Sequence, residues 1–153
     1  MPAATALHLI GQAALLSGVS AASIRFYEKE GLLAPGRRAA NGYRGYSEGD
    51  IHQLRFIRLC RAMDMSLDEV RTLLDLDLAK KADCTAASAT LDAHIVHVGQ
   101  RLAELQALQH NLLSLRAGCD GSGPQCRIIG ALHERAEHLP SEEPKARSAH
   151  RHV

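Results

Sequence analysis

The stretch ASATLDAHIVHVGQRLAELQALQHNLLSLRA, residues 87–117, decides the fold. Its apolar side chains recur in alternating steps of four and three residues, at Leu91, Ile95, Val98, Leu102, Leu105 and Leu112. Polar Gln109 occupies the one position that interrupts the pattern. This spacing predicts one helix with a heptad seam. Such a helix is roughly 45 Å long at 1.5 Å per residue, and its narrow seam needs another helix to cover it. No other segment has a similar length, so we expect two copies of the chain to pair through it.

Cysteines flank this predicted helix, with Cys84 before it and Cys119 and Cys126 after it. In a straight helix Cys84 cannot meet Cys119 of the same chain, whereas in an antiparallel pair the partner subunit's Cys84 lies beside Cys119 and Cys126. Three thiolates favour thiophilic divalent ions, namely Cd(II), Pb(II), Hg(II) or Zn(II), over Mg(II) or Ca(II). The spacing lacks the paired cysteines of a zinc finger. We therefore predict a homodimer with a three-cysteine metal site shared across its interface. Cys60 is interpreted as a packing residue.

Charge and aromatic residues are distributed unevenly along the chain. The 153 residues carry a net charge of +1, but residues 1–63 hold eight Lys and Arg against four acids, and the rest holds ten against thirteen. All five aromatic residues also lie in that first part. A basic, aromatic N-terminal part followed by a mildly acidic remainder is typical of a nucleic-acid-binding head on an oligomerisation body. An ordinary small core with a charged rim is the alternative.

Hydropathy and cysteine usage bear on location and chemistry. No apolar run approaches the roughly 20 residues that span a bilayer, and MPAATALHLI lacks the basic region of a signal peptide. We expect a cytoplasmic protein with no membrane partner, in which thiols stay reduced and serve as metal or redox groups. A cysteine nucleophile would need a base held by an acidic group. His94 and His97 have no such acid in clear register, so we do not expect an enzyme.

Turn signals divide the chain into a mainly α fold. Residues 7–78 are predicted to form a winged helix-turn-helix domain with a small β-wing around Tyr43–Tyr46, because Gly18-Val19-Ser20 separates two short helical segments. Residues 79–86 are interpreted as a linker and 87–117 as the dimerisation helix. Residues 118–138 are predicted to form a metal-binding loop and a short helix. The polar residues 139–153 are predicted to be a disordered, histidine-containing tail.

The predicted head offers two groups of side chains suited to DNA. On the second helix of the helix-turn-helix these are Ser23, Arg25 and Tyr27, since Arg pairs with guanine or phosphate and hydroxyls bind phosphate. The wing adds a cationic, hydroxyl-rich group: Arg37, Arg38, Tyr43, Arg44 and Tyr46. Phe26 is expected in the core. The alternative places Tyr27 in the core as well and leaves the arginines as a solvated face.

Two longer segments carry a resemblance to a known family. IGQAALLSGVSAASIRFYEKEGLLAPGRR, residues 10–38, and NGYRGYSEGDIHQLRFIRLCRAMDMSLDEVRTLL, residues 41–74, are similar to the winged-helix head of the MerR family of metal-responsive transcription factors. The similarity continues through the long helix and the cysteine loop. It implies an antiparallel homodimer on double-stranded promoter DNA. It also implies activation: the effector-bound dimer twists the DNA so that RNA polymerase engages two promoter elements whose spacing is too long.

The resemblance also bears on the metal. The segments around Cys84 and after it, ADC and DAHIVHV, together with the cysteine loop, are most similar to the cadmium- and lead-responsive members of the family. Copper(I)-responsive members usually have serine in place of Cys84. The resemblance thus implies Cd(II) or Pb(II) as the effector. Zn(II)- or Hg(II)-responsive members, and a metal carrier without DNA function, remain alternatives.

Histidines near Cys84 suggest an auxiliary metal site. His94 and His97 lie three residues apart on the long helix, and Glu69 of the preceding helix can approach them. Some cadmium-responsive relatives use such groups, and borderline metals accept imidazole. The alternative, which the sequence favours, is that the histidines are solvated on a helix face. For His150 and His152 of the tail the alternatives are the same, namely metal binding or exposure to solvent.

Overall fold

The structure, a computed structural model, describes residues 7–38, 42–77 and 79–140. These residues contain six helices and three short strands. In chain order they are β1 His8–Leu9, α1 Ile10–Ser17, α2 Ala21–Lys29, β2 Arg37–Arg38, β3 Arg44–Tyr46, α3 Glu48–Ala62, α4 Leu67–Leu74, α5 Lys81–Ala117 and α6 Arg127–Glu137. The predicted mainly α fold, with a winged helix-turn-helix head and a long helix, is confirmed. The tail of residues 141–153, with His150 and His152, lies outside the described residues.

Local signals set the helix boundaries in the head. Gly18 ends α1 in the left-handed conformation, with φ 71°, which costs glycine little because it has no Cβ. The side chain of Ser20 then caps α2 by accepting a hydrogen bond from the Ser23 N–H, at 3.1 Å. Ser47 and Ser66 begin α3 and α4 with complete capping boxes, which satisfy two otherwise unpaired N–H groups at each start. The turn between α1 and α2 is therefore encoded locally.

The wing is a three-stranded antiparallel sheet in the order β1-β3-β2. Tyr46 pairs with His8, and Gly45 lies between Leu9 and Arg37. A Cβ on Gly45 would lie 2.6 Å from the Cβ of Leu7, so any other residue at this central position of the sheet would force Leu7 to move. The sheet thus holds the wing against the start of α1.

Two neighbouring hydrophobic clusters form the core of the head. One contains Ala13, Val19, Ile24, Leu33, Tyr46, Ile51 and Leu54, and the other contains Leu32, Ile57, Cys60, Met65 and Val70. Tyr27 packs against both clusters. Cys60 is 2% exposed, as its interpretation as a packing residue requires.

The long helix begins earlier than the sequence indicated. Helix α5 runs over Lys81–Ala117, so residues 81–86 are helical and the predicted linker, 79–86, is corrected. The carboxylate of Asp83 lies in the first turn, where it interacts favourably with the helix dipole, and it accepts the Asp77 N–H at 2.7 Å. Cys84 is therefore part of α5. The chain divides into two compact units, residues 1–97 and 98–153, so the first unit extends beyond the predicted boundary at residue 78.

The predicted seam lies at the surface of the single chain. The exposed fraction of its six apolar side chains lies between 44% for Leu91 and 66% for Ile95. Helix α6 also exposes Ile129 and Leu132, at 56% and 49%. None of the helices formed by residues 7–38, 42–77 and 79–140 combines the length and the apolar character needed to cross a bilayer.

Candidate nucleic-acid interface and metal sites

Several exposed cations of the head lie on α2 and on the wing. Arg25 and Arg37 are exposed, and the Arg44 side chain is 64% exposed. Tyr43 is 68% exposed. Arg25, Tyr43 and Arg44 line one cavity of about 320 Å³ together with Leu9, Ile10 and Tyr46. The structure therefore brings a cation of α2 and a cation of the wing to a common surface.

Tyr46 does not present its hydroxyl to that surface. It is 1% exposed, and its hydroxyl donates to Glu28 Oε1 at 2.9 Å. Burial and the Glu28 hydrogen bond raise the pKa of Tyr46 to about 12, so the phenol stays protonated. The expected contact of Tyr46 with DNA is corrected, because its hydroxyl is already engaged inside the head.

Two side chains of α2 also differ from expectation. Tyr27 is half-buried between the two core clusters, and this burial raises its pKa, against the opposing effect of Arg61. Phe26, expected in the core, is 41% exposed. The hydroxyl of Ser23 accepts from Ser20 at 2.9 Å at the start of the helix. For Arg38 the structure describes only its place in β2.

Two of the three predicted thiolate ligands meet at the start of α6. Cys126 is the N-cap of this helix. Hydrogen bonds from the backbone N–H groups of Gly121 and Arg127 lower the pKa of the Cys119 thiol. Partial burial of the thiol opposes this effect. The Ile128 N–H and the Cys126 thiol lower the Cys119 pKa further. The first N–H groups of a helix have no partner within it, so α6 supplies donors to a thiolate.

The loop between these cysteines is ordered by a local turn. Asp120 Oδ1 accepts the backbone N–H and the hydroxyl of Ser122, at 3.0 and 2.7 Å. Gly121 takes a positive φ of 72°, a conformation that glycine adopts at little cost. Cys126 is exposed and Cys119 half-exposed. The loop is therefore open to solvent and suited to an incoming soft ion. Cys84, also exposed, lies in the first turn of α5.

Glu69, His94 and His97 form a second group of metal-ligand type, with ligand atoms within 4.8 Å of one another. Glu69 Oε1 lies 3.1 Å from His94 Nδ1 and 3.7 Å from His97 Nδ1. His94 is 8% exposed, so the expectation of two solvated histidines is corrected for His94. His97 has a 66% exposed side chain.

The contacts of the His94 ring constrain its hydrogen-bonding roles. Its Nε2 lies 2.9 Å from the Met63 carbonyl oxygen, and because a carbonyl only accepts, Nε2 must donate. Nδ1 then faces Glu69 Oε1 at 3.1 Å, on the side of the ring where a cation shared with Glu69 would lie. Burial acts to raise the pKa of Glu69, but hydrogen bonds from Ser66 and the charge and hydrogen bond of His94 outweigh it, and the pKa is lowered. The sequence showed no signal for the Met63 contact, since a carbonyl is present at every position.

Comparison with known proteins identifies the family. The model of the MerR helix-turn-helix regulatory protein family matches residues 9–77, and a second model, MerR DNA binding, matches residues 51–115. The transcriptional regulator HmrR of Sinorhizobium medicae is 37% identical over 78% of this chain and 82% of its own length. ZntR of Escherichia coli K12 is 32% identical over 88% of this chain and 99% of its own.

A solved structure supports the same assignment. The crystal structure of PbrR691 from Ralstonia metallidurans CH34, in complex with lead(II), superposes with a TM-score of 0.68 and 39% identity. It covers 80% of this chain and 97% of that one. The relatives are transcriptional regulators and not enzymes, as expected for this chain. The protein therefore belongs to the MerR family of helix-turn-helix regulatory proteins.

Proposed function

We propose that this protein is a metal-sensing transcriptional activator that binds double-stranded promoter DNA as a homodimer in the cytoplasm. Binding of Cd(II) or Pb(II) would distort the DNA so that RNA polymerase transcribes metal-resistance genes. The observation that carries the proposal is the Cys119–Cys126 loop, which places two solvent-accessible cysteines next to the start of α6. Two such cysteines, one of them with a lowered pKa, suit a sensor of soft ions in a chain with a winged helix-turn-helix head.

The proposed metal site takes its third ligand from the other chain, as Cys84 of the partner subunit. Support comes from the exposed seam of α5 and from the placement of Cys84 in its first turn and of Cys119 just beyond its last residue, Ala117. A helix of 37 residues is about 55 Å long at 1.5 Å per residue. An antiparallel pair of such helices would place unlike ends together. The lead(II) complex of PbrR691 supports a soft divalent ion, and Zn(II) or Hg(II) is the alternative effector.

The energies involved permit a switch. Bending a site of 20–30 base pairs costs on the order of 1–6 kcal/mol, and structural thiolate–metal sites release about 10–16 kcal/mol. A difference of about 1–3 kcal/mol in metal affinity between two dimer shapes is a typical allosteric coupling. Only a small part of the binding energy therefore has to differ between the two shapes.

For DNA we propose contacts from Arg25 on α2 and from Arg37, Tyr43 and Arg44 on the wing. Their exposure supports this assignment. Arg38 and Ser23 remain proposals from the sequence alone. Tyr27 and Tyr46 act instead through the packing of the head. We also propose Glu69, His94 and His97 as an auxiliary metal site, supported by the convergence of their ligand atoms.

Single cysteine substitutions test the sensor. Cys84→Ser, Cys119→Ser and Cys126→Ser should each abolish metal-dependent transcription from the promoter in a purified system and leave metal-free promoter binding intact. Cys60→Ala is the matched control, because Cys60 is buried in the core and should leave the metal response unchanged. If any one of the first three variants still responds fully, the three-thiolate site is wrong.

Two further measurements separate the alternatives. A metal carrier without DNA function predicts no shift of promoter DNA in a gel, whereas the proposal predicts a specific shift by the metal-free dimer. Competitive titration of the protein with Cd(II), Pb(II), Zn(II) and Hg(II), followed by thiolate charge-transfer absorption, ranks the ions. A transcription response to Zn(II) or Hg(II) but not to Cd(II) or Pb(II) would replace the proposed effector.

A further inference from the structure

One carboxylate joins the end of α2 to β3 of the wing and to the residue before β2. Glu28 lies in the last turn of α2, and its side chain is only 7% exposed. Its Oε1 accepts the Gly36 N–H at 3.0 Å and the Tyr46 hydroxyl at 2.9 Å. Its Oε2 lies 3.6 Å from Arg44 Nη1. A buried acid is found only where partners compensate its charge, and these three partners come from the wing or from the residue before it.

The contacts leave this junction little freedom. Gly36 directly precedes β2, and a Cβ at this position would lie 3.2 Å from the Gly45 carbonyl oxygen and 3.3 Å from the Tyr46 ring. Tyr46 is buried and protonated, so it donates to Glu28 at any physiological pH. Strand β3 and the residue that leads into β2 are therefore held to α2 at the same carboxylate.

Glu28 also restrains a cation that faces outward. Arg44 keeps 64% of its side chain exposed while one of its nitrogens faces Glu28. Arg25 lies three residues before Glu28, on the same face of α2, and lines the same cavity as Arg44. A guanidinium paired with a carboxylate at one nitrogen keeps its other donors available to a phosphate.

We infer that Glu28 is a positioning residue for DNA binding: it sets the wing, and Arg44 in particular, at a fixed place relative to α2. This inference rests on the proposed binding of promoter DNA and adds to it a residue that does not touch DNA itself. It makes a prediction opposite in sign to simple electrostatics. Removing an acid near a polyanion should strengthen DNA binding, whereas removing Glu28 should weaken it.

The test compares Glu28→Gln with Glu30→Gln in the full-length protein. Both variants remove one negative charge near the end of α2, but only Glu28 contacts the wing. We expect Glu28→Gln to lower promoter affinity about tenfold and Glu30→Gln to leave it unchanged or slightly higher. The salt dependence should also change: the slope of log affinity against log salt falls by about 0.9 for each phosphate that the protein no longer neutralises, hence by about two for a dimer. Metal affinity should not change.

Tyr46→Phe gives a second arm in case Glu28→Gln folds poorly. It removes the hydroxyl donor without a change in charge and should weaken promoter binding several-fold. The double variant should then be no weaker than Glu28→Gln alone, since both act at one junction. Promoter affinity and salt slope equal to wild type in both single variants would overturn the inference. Failure of the wild-type protein to bind promoter DNA would instead overturn the proposed function.

Discussion

The exposed seam of α5 predicts how strongly one leucine contributes to dimer formation. Leu102 is 56% exposed in the single chain, and full burial of a leucine contributes about 1.5–3 kcal/mol. Burying the exposed part therefore gains about 1 kcal/mol per chain, and a symmetric dimer contains two copies. Leu102→Ala should cost about 2 kcal/mol of association, which is roughly a thirtyfold rise in the dimer dissociation constant. Alanine is also the better helix former, so the weaker dimer would not come from the helix itself.

Sedimentation equilibrium of the metal-free protein measures this dissociation constant. Val96→Ala is the matched control, because Val96 is 58% exposed on the same helix but lies two residues before seam residue Val98, on another face. It should change the constant only slightly. If Leu102→Ala leaves the constant unchanged, or if both variants weaken the dimer equally, the seam is not the dimer interface.

Three further predictions concern the head and the auxiliary site. Arg25→Ala should weaken promoter binding by about 1–3 kcal/mol in a gel shift, as expected when one arginine no longer pairs with a base, and should leave metal binding unchanged. Unaltered DNA affinity would refute a contact by Arg25. Glu69→Gln should remove one of two bound metal equivalents per chain, measured by equilibrium dialysis, because it removes the carboxylate that lies near both histidines. The substitution keeps the cap of α4, since glutamine also serves in a capping box. An unchanged metal stoichiometry would exclude the auxiliary site. Tyr46 has a folded-state pKa of about 12 against an ordinary value of 10.0, so its contribution to the free energy of unfolding is complete below pH 10 and should fall by about 2–3 kcal/mol between pH 10 and 12. Urea unfolding of wild type and Tyr46→Phe at both pH values measures this, and an equal decline in the two proteins would contradict it.

Most of the fold could be predicted because its signals are local. Capping serines precede α2, α3 and α4, glycine ends α1, and the heptad spacing marks the long helix. The start of α5 could not be placed from its polar residues. The interaction of Asp83 with the helix start and with the Asp77 N–H depends on how the chain turns after α4, which the residue pattern does not specify.

The candidate sites were predictable by residue type but not by orientation. The cysteines and the group of Glu69, His94 and His97 follow from ligand chemistry and spacing. The burial of Tyr46 and the partial exposure of Phe26 do not follow from the sequence, because both are aromatic residues in the same basic segment. The contact that engages the Tyr46 hydroxyl is with Glu28, eighteen residues earlier. Such long-range pairing of a polar group with a buried phenol has no periodic signature in the sequence.

The central claim is that each metal site draws ligands from two chains, and a mixed dimer tests it most directly. One chain carries Cys84→Ser, and the other carries both Cys119→Ser and Cys126→Ser. Each variant alone should lack the thiolate–metal charge-transfer absorption of the wild-type protein. In the mixed dimer, the first chain's Cys119 and Cys126 meet an intact Cys84 from the second. The account predicts one thiolate-bound metal ion per mixed dimer, with the charge-transfer absorption of one wild-type site. A mixed dimer that remains as silent as its parents would contradict it.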